Sequence, residues 1–281
     1  MPTFERKSII CPNCRKLISS YEERCPYCGI KNPSSPWRLD VFSILFRRFD
    51  LITVIIATNV IFFILSVVFN TSSSALSKNL LTFFSPSDGS LLLFGATGTI
   101  PIDQFGWWWT LVSASYLHGG ILHIFFNMMA LYQLGPFVRN EFGSHRFFTI
   151  YTLTGIAGFF ISYLAGISFT IGASASICGL IGATLFYGKS RGGSFGRAIY
   201  RQVLGWVVVL AVFGFIVPGI NNWAHGGGIA AGIITGFLFG YNEKRIENQV
   251  DRMIATACLI LTVFVLAWAV LRVLYFTFFS V

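Results

Sequence analysis

The chain has 281 residues, a mean hydropathy of +0.70 and 11% charged residues, whereas a soluble domain carries roughly 25%. This composition indicates a membrane protein and excludes a disordered chain, because 54% hydrophobic and 17% aromatic residues give more apolar surface than a solvated coil tolerates. The net charge of +9 could suggest a nucleic-acid partner, but the positions of the cations along the chain favour another explanation.

The first 36 residues are polar and end in a Pro-Ser-Ser-Pro exit. They contain two CxxC pairs, formed by Cys11, Cys14, Cys25 and Cys28. Four thiolates around one ion make a closed tetrahedral zinc site. A redox motif is the alternative, since the second pair reads CPYC, but it needs a βαβ scaffold for which this segment has no room. We therefore expect a cytoplasmic zinc ribbon with a structural metal, which docks a cytoplasmic protein partner or the chain's own cytoplasmic loops.

Seven mostly apolar stretches follow, each near the roughly 20 residues that a helix needs to cross a hydrocarbon core. They lie near residues 50–70, 120–138, 147–167, 172–188, 199–218, 224–241 and 254–276. The sequence therefore predicts an all-α polytopic membrane protein. We expect three parts: the module at 1–36, a six-helix membrane domain at 37–245 and an additional C-terminal transmembrane helix at 246–281.

Nearly all of the cations fall on one side of these predicted spans. Six lie in the module, Arg38, Arg47 and Arg48 precede the first span, and nine follow the second, fourth and sixth spans. Lys78 lies on the other side, and Arg272 can reach the interface from the last span. By the positive-inside rule, the N-terminus is cytoplasmic and the C-terminus faces out. The net positive charge is therefore explained by the orientation of the chain in the membrane, which argues against nucleic-acid binding. We expect an integral protein of the bacterial inner membrane, surrounded by lipid.

The longest connection between spans covers residues 71–106 and is poor in charge. The aromatic run Phe105 to Trp109 stands at its end. Trp rings prefer the membrane interface, so we expect this connection to lie partly in the interface.

Polar residues within the predicted spans narrow the chemistry. None of the eleven carboxylates lies inside a predicted span, since Asp50 stands at the entrance of the first, whereas an intramembrane aspartyl protease needs two that face each other. The HExxH motif of a zincin is also absent from the sequence. Histidine is thus the remaining candidate for moving protons inside the membrane.

Ser174 and His225 enter the membrane at the same predicted depth, because the fourth and sixth spans run in the same direction. A serine hydroxyl is a weak nucleophile until a base takes its proton, and histidine is the usual base. The sixth span carries a glycine stripe with one glycine every fourth residue, namely Gly228, Gly232, Gly236 and Gly240, and the fourth span carries Gly172, Gly179, Gly182 and Ala183. Small residues at such spacing let helix backbones approach, which would allow a Ser–His dyad to form. The alternative is that the glycines only pack helices and Ser174 satisfies a local carbonyl.

The second predicted span begins with His118, His123 and Asn127. Asn127 follows His123 by four residues, so both project from one helical face. Both side chains can donate hydrogen bonds, as an oxyanion requires, and the Ser174 backbone N–H at a helix start could add a third donor. A metal bound by the two histidines is an alternative, but no carboxylate or cysteine completes such a site.

At these residues the sequence resembles the rhomboid intramembrane serine proteases. The resemblance rests on HGGILHIFFNMMAL at 118–131, EFGSHRF at 141–147, GASASICGLIGA at 172–183 and NNWAHGGGIAAG at 221–232. It implies a six-helix core with an outward cavity, with Ser174 as nucleophile and His225 as base and then acid. It also implies an oxyanion hole of His123, Asn127 and the Ser174 amide, single-pass membrane proteins as substrates, and no catalytic cofactor.

Three positions depart from the family pattern. Ala175 stands where glycine is common, Cys178 where an aromatic ring often stacks on the histidine, and Thr110 where the second residue of a Trp-Arg pair is common. The departures at Ala175 and Cys178 keep an alternative open, in which the chain is an inactive relative that binds membrane helices, whereas Thr110 bears only on the anchoring of the outer loop. A third hypothesis is that the chain is a transporter or channel, because polar residues would face an outward cavity.

Overall fold

The computed structural model describes residues 8–11, 14, 16–34, 42, 45–46, 49–70, 85–217 and 219–279. Some predictions concern residues outside these ranges: the linker after residue 34, the connection at 71–84, and the cations Arg38, Arg47, Arg48 and Lys78. The structure therefore bears on the membrane domain and on the cysteine-rich part of the module.

Within the described ranges the chain folds into nine α-helices and one small antiparallel sheet. The sheet pairs β1 (Ser8–Ile10) with β2 (Leu17–Ser19). The helices are α1 (Leu51–Val68), α2 (Asp88–Phe94), α3 (Thr110–Ser113), α4 (Ile121–Phe142), α5 (Ser144–Leu164), α6 (Ser174–Arg191), α7 (Gly193–Ile216), α8 (Asn222–Phe239) and α9 (Gln249–Phe278). The predicted all-α class of the membrane domain is confirmed.

Each of the seven predicted spans corresponds to one of the long helices. Five of them, α1, α4, α5, α7 and α9, are long and apolar enough to cross a membrane by length and composition. The other two, α6 and α8, have 18 residues each and are rich in glycine and small residues. That all seven helices cross the membrane stays a prediction.

Helix boundaries follow from local sequence signals. Asp50 caps α1 by accepting a hydrogen bond from the Thr53 amide, and Asn221 caps α8 through the Ala224 amide. Asn248 and Asp251 form a capping box at the start of α9. The caps place the helix starts within a few residues of the predicted span ends.

Helix α8 packs against α6 closely enough for their backbones to touch. A Cβ added to Gly232 would lie 3.0 Å from the Ala183 amide nitrogen, and one on Gly182 would lie 3.0 Å from the Ile229 Cα. Backbones approach this closely only where side chains are small. Gly240, the fourth member of the predicted glycine stripe, instead ends α8 with a φ of 65°. The stripe therefore fixes the distance between the two helices that carry Ser174 and His225.

Helix α9 is anchored to α5 by a buried ionic network that the sequence analysis does not predict. Arg146 in the first turn of α5 is fully buried and donates two hydrogen bonds to Asp251 of α9, at 3.1 and 2.8 Å. Arg245 donates to the other carboxylate oxygen at 2.8 Å. One residue earlier, the His145 ring contacts the Glu247 carboxylate at 2.9 Å. The additional helix is thus held to the core by charge as well as by apolar packing.

Candidate functional site

Ser174 is the first residue of α6 and follows a turn that needs glycine. Gly172 has a φ of 124°, which side chains rarely adopt, and its amide donates to the Ala114 carbonyl at 2.9 Å. The turn places the half-buried Ser174 at the N-terminal end of the helix. Unpaired backbone N–H groups at such an end attract negative charge.

His225 lies in the first turn of α8, opposite Ser174. The His225 Nε2 atom is 2.9 Å from the Ser174 Oγ atom, which is hydrogen-bonding distance. The helix start is fixed by Asn221, whose amide group donates to Ser162 Oγ at 2.6 Å and to Thr170 Oγ1 at 2.9 Å. The structure therefore brings the predicted pair together on two closely packed helices.

The His123 ring lies beside the same turn. A Cβ added to Gly172 would be 2.8 Å from His123 Nε2 and 3.5 Å from Ser174 Oγ, so only glycine leaves room for the imidazole. The Gly119 amide donates to His123 Nδ1 at 3.4 Å. A ring nitrogen that accepts a hydrogen bond leaves the proton of a neutral imidazole on the other nitrogen. His123 Nε2 therefore carries a hydrogen at the Ser174 end of the site.

Asn127 lies one helical turn after His123 on α4 and is 8% exposed. Its amide nitrogen donates to the His123 carbonyl at 2.8 Å. A side-chain amide has two N–H groups, so this local bond leaves the second available to another acceptor. Asn127 is thus restrained by its own helix and keeps one donor.

His118, the other predicted histidine of this group, lies behind His123. It is fully buried, and the two rings meet edge to face with centroids 4.9 Å apart. Its contact with the site is therefore through the His123 ring.

The three departures from the family pattern occupy packed positions. Cys178 is 2% exposed, and its Cβ would be 3.2 Å from a Cβ on Gly228, so it lies in the contact between α6 and α8. Ala175 is fully buried, with its Cβ 3.2 Å from a Cβ added to Gly158. Thr110 is fully buried, and its hydroxyl contacts the Trp107 carbonyl at 2.6 Å and Thr97 Oγ1 at 3.0 Å. Thr110 therefore holds the preceding loop by hydrogen bonds.

Asn221 is not among the predicted site residues, although the sequence carries a local signal for it. An asparagine directly before an apolar helix is a capping pattern, and this cap also fixes the turn that presents His225. The bond between the Gly172 amide and the Ala114 carbonyl has no such signal, because it joins segments 58 residues apart through backbone atoms.

In the module, the sulfur atoms of the four cysteines that the sequence predicts as metal ligands lie close together. Their sulfur atoms all lie within 4.8 Å of one another, with Cys11 and Cys28 at 3.7 Å and Cys14 and Cys25 at 3.5 Å. Tetrahedral zinc with bonds of about 2.3 Å separates its sulfur ligands by roughly 3.8 Å, so this cluster could hold a metal. The Lys16 backbone amide lowers the pKa of the Cys14 thiol, but burial and the other thiols raise it to about 12 overall. A bound cation would displace these protons.

A comparison with known proteins identifies the family. The family model for the rhomboid domain matches residues 106–242. The putative rhomboid protease YdcA of Bacillus subtilis is 30% identical over 176 residues, which cover 61% of this chain and 88% of that protein. The chain belongs to the rhomboid family. Together with the five apolar helices, this makes it an integral membrane protein.

Two longer rhomboid relatives match smaller parts of their own length. The rhomboid protease GluP of Bacillus subtilis is 35% identical over 156 residues, covering 56% of this chain and 31% of that protein. RHOMBOID-like protein 5 of Arabidopsis thaliana is 32% identical over 199 residues, covering 64% and 61%. The chain thus spans about a third to three fifths of the length of these relatives.

Proposed function

We propose that the chain is an intramembrane serine endopeptidase that cleaves single-pass membrane proteins in or near their transmembrane segment. The observation that carries this proposal is the distance of 2.9 Å between Ser174 Oγ and His225 Nε2. Two of the relatives are named as rhomboid proteases, which supports peptide-bond hydrolysis as the reaction. A cofactor has no role in this mechanism, since the serine and histidine supply both the nucleophile and the base.

In the first step His225 Nε2 takes the proton from Ser174 Oγ while that oxygen attacks the substrate carbonyl carbon. The negative charge that forms on the carbonyl oxygen would be stabilised by three hydrogen-bond donors: the Ser174 amide, His123 Nε2–H and the second N–H of Asn127. His225 then gives its proton to the leaving amine, and the acyl-enzyme remains. In the second step His225 activates a water molecule, which releases the new carboxylate and restores Ser174.

The direct test is to label the full chain in membranes with a fluorophosphonate probe. Such a probe reacts with an activated serine, and peptide mass spectrometry then identifies the modified residue. We expect the label on Ser174 and none on Ser176, two residues later, whose hydroxyl lies 3.4 Å from Ser115 Oγ. An unlabelled chain, or a label on another residue, would overturn the proposal. That result would favour the alternative in which the chain is an inactive relative that binds membrane helices, which the departures at Ala175 and Cys178 keep open.

The alanine variant of Asn127 is expected to lower kcat by about 10²- to 10³-fold, the usual effect of losing one oxyanion donor. The Ser–His pair remains in this variant, so some activity should persist. Cleavage rates at saturating substrate measure the effect, with Asn140→Ala as a control because that side chain belongs to the opposite end of α4. Unchanged kcat for Asn127→Ala would remove Asn127 from the oxyanion hole.

For the whole chain we propose three parts with the boundaries given by the sequence: residues 1–36, 37–245 and 246–281. We further propose a bacterial inner-membrane location, with the N-terminus in the cytoplasm and the C-terminus outside, as the cation distribution favours. Cysteine accessibility tags at the two termini would test this orientation. Labelling of both termini from the same side would contradict it.

We also propose that the cysteine cluster holds one structural zinc ion, since four converging sulfurs suit this metal. Zinc would stabilise a module whose core, within the described part of residues 8–34, is little more than the cysteines and Ile18. Purified full-length protein should contain about one zinc ion per chain, and Cys25→Ser should lose it. Cys258→Ala, which alters a buried cysteine of α9, should retain it. Equal zinc content in both variants would contradict the assignment.

A further inference from the structure

Arg272 is a cation in a strongly apolar stretch near the end of α9. Such a charge is costly in a transmembrane helix unless the protein supplies a favourable contact. The contact here is aromatic: the guanidinium carbon lies 3.8 Å from the centroid of the Trp107 ring, 5.1 Å from that of Trp109 and 5.7 Å from that of Phe276. A distance of 3.8 Å is that of a planar guanidinium stacked on an indole.

Two of the three rings near Arg272, those of Trp107 and Trp109, belong to the aromatic segment, residues 105–109, which is itself tightly arranged. Phe105 stacks on Trp107 with centroids 4.5 Å apart. The Trp109 ring lies directly over Gly95, where a Cβ would be 2.7 Å from a ring carbon. A shift of the aromatic segment would therefore move several packed rings together.

The aromatic segment is linked to the Ser174 turn by a short and continuous chain of contacts. The Trp107 carbonyl accepts the Thr110 hydroxyl at the start of α3. Four residues further on, the Ala114 carbonyl accepts the Gly172 amide at 2.9 Å. Gly172 is two residues before Ser174 and lies against the His123 ring. These contacts thus connect the aromatic segment to the turn before Ser174 and to the His123 ring.

We propose that Arg272 is a positioning residue, which holds the aromatic segment and through it sets the geometry of the Ser174 turn. This inference rests on the proposed function. It gives the additional C-terminal helix a role in proteolysis that its place outside the six-helix core does not suggest. The aromatic segment is also held to α5, because the Tyr163 ring contacts Trp108 and the Tyr163 hydroxyl donates to Asp103, just before the segment, at 2.9 Å. Loss of Arg272 should therefore loosen the loop without releasing it.

The test compares Arg272→Met, which keeps an apolar stem, with Arg272→Lys, which keeps the charge. Helix α9 should stay docked in both, since Asp251, which pairs with Arg146 of α5, lies at the opposite end of α9 from Arg272. We expect kcat for a single-pass substrate to fall about tenfold for Arg272→Met, with KM within twofold, because the half-buried contact lies between the exposed and the desolvated values of a cation–π interaction. Arg272→Lys should recover about half of this loss on a logarithmic scale. Leu271→Met, at an exposed neighbouring position, should match the wild type.

Hydrogen exchange of residues 106–116 gives a readout independent of proteolysis. Arg272→Met should speed exchange there and leave α4 and α6 unchanged, whereas a general loss of folding would speed exchange in all helices. Unchanged exchange and unchanged kcat in Arg272→Met would overturn the inference. If the wild type itself fails to label on Ser174 while exchange responds to Arg272, the proposed function fails and the loop contact stands.

Discussion

The alanine variant of Ser174 is expected to lower cleavage of a single-pass substrate by on the order of 10⁴- to 10⁶-fold, as losses of a nucleophile do in other serine proteases. The reason is that the variant removes the proposed nucleophile, Ser174 Oγ, which lies at the N-terminus of α6 and 2.9 Å from the histidine base. The residual rate would come from substrate positioning and the oxyanion donors alone. Initial cleavage rates in proteoliposomes provide the measurement.

His225→Ala should reduce the rate by a similar factor, and the double variant should be scarcely slower than either single one. Residues that act as a unit give such non-additive losses, because removing one member already disables the other. The matched control is Ser176→Ala, which alters a buried hydroxyl in the same helical turn and should stay within a few-fold of the wild type. Losses that simply multiply in the double variant would mean that Ser174 and His225 do not form a dyad.

The meeting of α6 and α8 could be predicted because its determinants are local in sequence. Glycines at four-residue spacing mark the contact face of a helix, and the parallel direction of the two predicted spans puts Ser174 and His225 at one depth. The structure agrees on this point down to the backbone contacts of Gly182 and Gly232. Fold class and the cysteine cluster were accessible for the same reason, since apolar run length and CxxC spacing are local signals.

Contacts between distant segments could not be predicted in this way. The tautomer of His123 depends on an amide of the loop before its helix, and Arg272 meets Trp107 across 165 residues of chain. The sequence places Arg272 near the end of the last predicted span, but it does not indicate which aromatic rings the side chain contacts. Likewise, nothing in the sequence shows that Arg146 and Asp251 form an ion pair.

The largest effect on stability is expected from Asp251→Asn, which should lower the free energy of unfolding by about 3–5 kcal/mol. The variant keeps the size of the side chain and an oxygen for the Asn248 amide, so the helix cap can survive. It removes the charge that compensates Arg146, whose side chain is 0% exposed. An unpaired guanidinium at that depth has no water to solvate it.

Unfolding in detergent micelles, followed by helix content during titration with a denaturing detergent, measures this loss. Glu243→Gln is the matched control, because it breaks another Arg–carboxylate pair whose side chains are 31% and 53% exposed. Such a surface pair is worth at most about 1 kcal/mol. Adding Arg146→Met to Asp251→Asn should restore much of the stability, since the buried charge is then gone. A double variant less stable than Asp251→Asn would show instead that the Arg146 bonds to the Arg245 and Gly240 carbonyls outweigh its buried charge.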